Sequence, residues 1–198
     1  MIRAGRLLLP ALGLLLAPAL ATAQTLNGVT IGENIPASLP EPTRIEEVGN
    51  SVFLHWDLAP DIGMSIWAAD DIGPVLSVQL ARTAPHNRPE SPLQRTQFGV
   101  TTTADLIAQF GPPGPIYDHA GAGGTFGPIT THNLSWEIDT GDTVVTFITV
   151  EDINQPDTTG RDAARLDAII LADRAFQEVF WGRPSYPDQG YEPIPDPF

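Results

Sequence analysis

The sequence predicts an α+β fold made of two tandem modules, each a short helix followed by an antiparallel meander, with one further helix near the C-terminus. Three observations carry this. Residues 28–42, GVTIGENIPASLPEP, return 71 positions later as residues 99–113, GVTTTADLIAQFGPP. The segment FLHWDL at 53–58 is answered by NLSWEI at 133–138, and in both Leu, Trp and a closing aliphatic residue alternate with polar ones, the period of a strand with one buried face. Residues 160–182 then place Ile169, Ala172, Phe176, Val179 and Phe180 at helical spacing.

The first element in the chain is a leader. Residues 1–23 carry Arg3 and Arg6, a Pro-interrupted apolar run, and Ala21-Thr22-Ala23 before Gln24, the pattern of a secretory signal peptide cleaved after Ala23. The expected location is therefore periplasmic or secreted, with no membrane insertion once the leader is removed, because no later apolar run approaches the ~20 residues that a span requires. The chain has no cysteine, which excludes disulfides, thiolate metal sites and acylation on cysteine.

The first module spans 24–82. Its helix is expected from Thr30 with Glu33 as the start signal, Ile35 and Leu39 as an i, i+4 apolar pair, and Pro40 and Pro42 as the stop. Pro36 inside it must kink or shorten it. Strands are expected at 53–58, 64–71 and 75–81. A linker at 83–97 holds three prolines and no apolar periodicity, so it is expected to cross the surface. The second module spans 98–158, with Thr102 and Asp105 as a capping box, Leu106 and Phe110 as the apolar pair, and Gly111-Pro112-Pro113 as the exit. Strands are expected at 133–138 and 145–152. The glycine-rich run 120–128 lacks a phosphate-loop ending and reads as a flexible loop.

Residues 159–182 read as a long amphipathic helix, with Thr159 as N-cap, Gly182 past its end and Pro184 beyond. The alternative is a strand over DAIIL, 167–171. The tail 183–198 carries five prolines and reads as extended or disordered.

The segment 99–113, with its Gly-plus-Thr start, short helix and hydrophobic-Gly-x-Pro exit before a Trp-bearing strand, resembles the beta-lactamase inhibitor protein fold. The single-copy relative of that group is the small lipoprotein of the outer-membrane β-barrel assembly machine. The resemblance covers roughly residues 26–153. It implies one antiparallel sheet built from both copies with helices on one face and the other face free to bind a protein, with no catalysis and no cofactor.

Charge narrows the partner. The chain carries 24 acidic residues against 10 arginines and no lysine, a net −14, which becomes −16 without the two leader arginines. Such a field repels nucleic acid and anionic bilayers and steers a cationic protein inward. Trp56, Trp67 and Trp136 are the candidate binding residues, since adjacent strands that send their tryptophans to opposite sides would leave an aromatic patch exposed, and buried aromatic anchors dominate interfaces. Core packing is the plainer role for all three. His55, on the side of its strand opposite Leu54 and Trp56, is the polar candidate beside them.

Chemistry is thinly signalled. His55, His86, His119 and His132 show no HExxH or i, i+4 pairing, and no G-x-S-x-G elbow is present. The competing reading is a small periplasmic hydrolase using His119 or His132 with a nearby acid. A third is a structural envelope protein that makes its contacts through its tail or acidic surface. Glu151, Asp152, Asn154 and Asp157 bunch oxygen ligands suited to calcium, but without EF-hand spacing, so they read as a solvated turn and no metal site is expected.

Overall fold

A computed structural model describes residues 24–59, 61–114, 116–121, 129–138, 142–152, 155–182 and 192–198. The leader, most of the glycine-rich loop (122–128), Asn154 and tail residues 183–191 lie outside the described residues. Two short strands, β1 (Thr25–Leu26) and β2 (Val29–Thr30), pair as a hairpin. Eight more form a single antiparallel sheet: β3 (Arg44–Val48), β4 (Ser51–Ala59), β5 (Ile62–Ala68), β6 (Val75–Arg82), β7 (Ile116–Gly121), β8 (Ile129–Glu137), β9 (Thr143–Asp152) and β10 (Arg165–Asp173). The order across the sheet is β3-β4-β5-β6-β10-β9-β8-β7. Two four-stranded meanders thus meet along one seam, where β6 pairs with β10.

The architecture is mainly β, which corrects the helix-plus-meander expectation. Among the described residues α-helix is confined to α1 (Thr103–Phe110) and α2 (Arg174–Trp181), with two single 3-10 turns at Pro156–Thr158 and Arg161–Ala163. The expected helix at 30–39 is a series of turns. Beyond the disruption by Pro36, its backbone groups are committed elsewhere: Gly32 N–H donates to the Val75 carbonyl, Ile35 N–H to that of Ile72, and the Glu33 carbonyl accepts from Val75 N–H. The segment is therefore tied to the start of β6.

The long helix expected over 159–182 is also corrected. Residues 165–173 are strand β10, and only 174–181 are helical. A strand paired on both sides and covered on both faces shows an almost continuous apolar run, which periodicity cannot tell from helix. Ile169 and Leu171 face one side, Ile170 and Ala172 the other. Nor do the helices share one face. α1 buries Leu106 in the main core, whereas Trp181 of α2 packs on the opposite face against Val144, Ile170 and Ala172.

Register explains the core. Trp56, Met64, Leu80, Ile169, Phe147, Leu134 and Ile116 lie opposite one another in turn across seven strands. Leu54, Ile66, Val78, Leu171, Val145 and Trp136 form a parallel rank. These ranks make the inner face, which is closed by Leu26 and Val29 of the hairpin, Leu106 of α1, and Ile194 of the C-terminal segment. The linker closes it too: Leu93 is buried there, with Phe98 just beyond, so residues 83–97 do not merely cross the surface. The tail is likewise anchored at its end, Ile194 N–H donating to the Glu137 carbonyl at 2.9 Å.

The seam carries a charge pair. Arg82 Nε lies 2.6 Å from Asp167 Oδ1, with Arg82 buried and the Asp167 side chain 18% exposed. Burial pushes the Asp167 carboxyl up, and the guanidinium opposes that shift.

Candidate functional site

The three candidate tryptophans divide between the faces. Trp56 and Trp136 are core residues on the inner face. Each satisfies its indole N–H on a backbone carbonyl, Trp56 on Pro40 at 2.8 Å and Trp136 on Gly111 at 3.3 Å. Phe110 and Phe147 pack around Trp136 with ring centroids 6.1 and 5.2 Å away. Neither tryptophan reaches a partner surface.

Trp67 is on the outer face, half-buried. The reason is parity: it lies in register between Phe53 and Ser77, one residue out of step with the apolar ranks of Ile66 and Leu54. Phe53 packs on it at 5.2 Å, and Phe176 and Phe180 of α2 approach at 6.2 and 5.0 Å. Helix α2 is held there by its sequence. Asp173 caps it, accepting from Phe176 N–H at 2.8 Å, and Gly182 closes it in the left-handed region that favours glycine. Phe176 and Phe180, four apart, then share one side and reach across the seam to Trp67. Gln177 is buried beneath the helix and donates to Thr146 Oγ1 at 2.8 Å; that hydroxyl also contacts Ser135 Oγ at 2.8 Å.

This arrangement leaves an apolar surface beside the helix. Val179 is 83% exposed and Phe180 54%. Val48 at the free edge of the sheet is exposed as well. Between α2 and the strands lies a cleft of about 200 Å³.

His55 shares the outer face with Trp67. Its Nδ1 lies 2.9 Å from Ser65 Oγ, the residue directly across on β5, while Asp57 Oδ1 is 3.6 Å from Nε2, beyond hydrogen-bond range. The pair therefore reads as a cross-strand polar contact.

A second polar cluster lies at the far end of the inner face. His132 is buried, with Nδ1 2.7 Å from Asp118 Oδ1 and Nε2 2.8 Å from Glu151 Oε1. Gly160 N–H donates to the other oxygen of Glu151 at 2.8 Å. Both ring nitrogens are occupied, so the ring ties β7, β8 and β9 together and has no nitrogen left to meet a substrate. His119 is exposed on β7 and lies opposite Thr131, away from this cluster in register.

The acidic turn is spent on internal bonds. Glu151 holds His132 and Gly160, Asp157 pairs with Arg165, and Asp152 accepts from Gln155. Among the described residues no group of three or more His, Asp or Glu is placed to hold a metal ion.

The sequence shows a helix here but not where it begins or which face of the sheet it covers. Phe176 and Phe180 were visible as an i, i+4 pair, but on a helix taken to begin at 159 they carried no indication of which face they would cover. Ser77 and Gln79, which floor the cleft, gave no signal beyond alternation with Val78 and Leu80. The chain matches no family model, no curated protein and no solved structure in the three comparisons made.

Proposed function

We propose that this chain is a periplasmic or secreted protein-binding module whose outer sheet face, centred on Trp67, Phe53 and Phe180, docks a partner of cationic surface. The observation that carries this is the exposure of Phe180 and Val179, at 54% and 83%, beside an aromatic cluster on the face opposite the core. Contiguous exposed apolar surface of this kind marks interaction sites. The net charge of −16 without the leader supplies the complementary field, and four of the seven described arginines, Arg44, Arg82, Arg165 and Arg174, are already paired with carboxylates.

The hydrolase reading draws less support, since His132 keeps both nitrogens on carboxylates.

The test is retention of a partner from an envelope or secreted fraction on immobilised protein, comparing wild type with the Val179→Asp/Phe180→Asp variant. Both side chains are exposed, so the variant should keep its fold by near-ultraviolet circular dichroism while losing the partner. A folded variant that retains the same partner at wild-type levels overturns the proposal.

A further inference from the structure

The cleft between α2 and the sheet has a composition that selects a ligand class. Its walls are aromatic and aliphatic: Trp67, Phe176, Phe180 and Ile148 among them. Its polar lining is uncharged, Ser77, Gln79, Asn133 and Gln177, and among the described residues no Asp, Glu, Arg, Lys or His lines it. A charged group entering would lose its water without gaining a counter-charge. Size sets a second limit: an apolar cavity of about 150 Å³ takes one benzene ring, so a cleft of about 200 Å³ takes a single ring with a small substituent.

The third observation is an unsatisfied hydroxyl. Ser77 is buried, at 6% exposure, and among the described residues its side chain has no hydrogen-bond partner. Buried polar groups are nearly always paired, and each exception calls for a reason. Gln79, two residues along the same strand face, lines the cleft as well, and among the described residues its side-chain amide has no partner. Two unpaired hydrogen-bonding groups at the floor of an aromatic-walled cleft are what a small ring bearing a hydroxyl or amide would satisfy.

We infer that the cleft under α2 is a binding site for a small, uncharged, single-ring molecule carrying one hydrogen-bonding substituent, which sits with its ring against Ile148 and the packed Trp67–Phe176–Phe180 cluster and its polar group on Ser77 and Gln79. The cleft shares Trp67 and Phe180 with the docking face, but binding of a small ring requires no partner protein and is tested without one.

The test uses the purified chain and phenol, benzyl alcohol, benzylammonium and benzoate as probes, followed by tryptophan fluorescence and by ¹H–¹⁵N shifts of residues 65–79 and 174–181. Phenol and benzyl alcohol should bind saturably and shift both segments. Benzoate and benzylammonium should bind at least tenfold more weakly. Ser77→Ala should keep or raise the thermal midpoint of the free protein, since it removes an unpaired buried hydroxyl, and weaken phenol about five- to tenfold, the worth of one net hydrogen bond. Phe180→Ala, a change at a half-exposed wall, should weaken every ring probe alike. Absence of saturable phenol binding, benzylammonium binding as tight as benzyl alcohol, or phenol affinity unchanged in both Ser77→Ala and Gln79→Leu overturns the inference.

Discussion

The two halves of the sheet, β3 to β6 and β7 to β10, run in the same order from free edge to seam but are finished differently. In the first, the inner face is covered by the turns of residues 30–39, bonded to Ile72 and Val75, and by the β1–β2 hairpin. In the second, the covering element is helix α1, stabilised by a capping box in which Thr102 Oγ1 accepts from Asp105 N–H and Asp105 Oδ2 accepts from Thr102 N–H. Each half nonetheless sends one tryptophan into the core from its second strand, and each indole N–H ends on a carbonyl of the covering segment, Pro40 or Gly111. The difference teaches that the sheet does not dictate helix or turn above it. It requires apolar side chains and one correctly placed carbonyl, and either conformation supplies them.

The outer faces diverge further. After β10 the chain turns back as α2 and lies over the seam. After β6 it enters the linker and goes to the inner side, where Leu93 is buried. Among the described residues one helix covers the outer face, and the aromatic cluster around Trp67 remains partly open.

Substitutions can break or sharpen this comparison, and the largest effects lie in the two cores. Trp136→Ala should destabilise by about 4 kcal/mol and Trp56→Ala by about 3 kcal/mol, within the range for buried aromatic truncation. The ordering follows from Phe110 and Phe147, which pack on Trp136 and have no described aromatic counterpart around Trp56. Urea denaturation of both variants measures it, and a larger loss at Trp56 would break the comparison.

The seam comes next. Arg82→Met strands Asp167 beside an apolar neighbour, and removing one member of a buried pair costs about 3 kcal/mol. Arg82→Met/Asp167→Leu should recover most of that loss, because the charges are removed together. Recovery absent in the double variant would mean that the arginine acts mainly through contacts other than Asp167, such as its bond to the Pro85 carbonyl.

Capping gives a smaller contrast. Thr102→Ala removes the α1 cap and should cost about 1 kcal/mol, whereas Thr30→Ala, at the matching place where no helix forms, should change stability by no more than about 0.5 kcal/mol. Equal effects would show that the first segment behaves as a helix in solution.

The smallest signal is in pH. Hydrogen bonds from the Thr102 backbone and hydroxyl hold the Asp105 carboxyl below its ordinary value, so its contribution is present above the ordinary carboxylate range and is lost as pH falls through the lowered value. Asp167 has the opposite sign: its raised carboxyl favours the fold below the ordinary value, and that contribution is lost as pH rises through the raised one. Thermal midpoints from pH 2 to 7 should therefore show a shallower acid limb in Thr102→Ala than in wild type.

How much of this was legible can be argued residue by residue. The cap at Thr102 and Asp105 was readable because capping depends on spacing within four residues. The strands around Trp56, Trp67 and Trp136 were readable from alternation, and alternation also set Trp67 on a different face from Ile66. Residues 165–173 were misread because Leu166 to Ala172 are covered on both faces, which erases the period. Residues 30–39 were misread because Ile35 and Leu39 keep helical spacing, while the bonds that decide their conformation run to Ile72 and Val75, far along the chain. The edge strands β3 and β7 carried too little apolar alternation to be seen. The floor of the cleft, Ser77 with Gln79, became visible only once α2 was placed above it.

The most direct test of the central claim, that the outer face around Trp67 and Phe180 is the working surface, is hydrogen exchange of the chain alone and mixed with the partner it retains. Slower exchange in residues 174–181 and in the β4–β5 hairpin, with the region around Asp118, His132 and Gly160 unchanged, is the result this account predicts. Protection confined to the His132 end, with α2 exchanging as it does in the free chain, would contradict it.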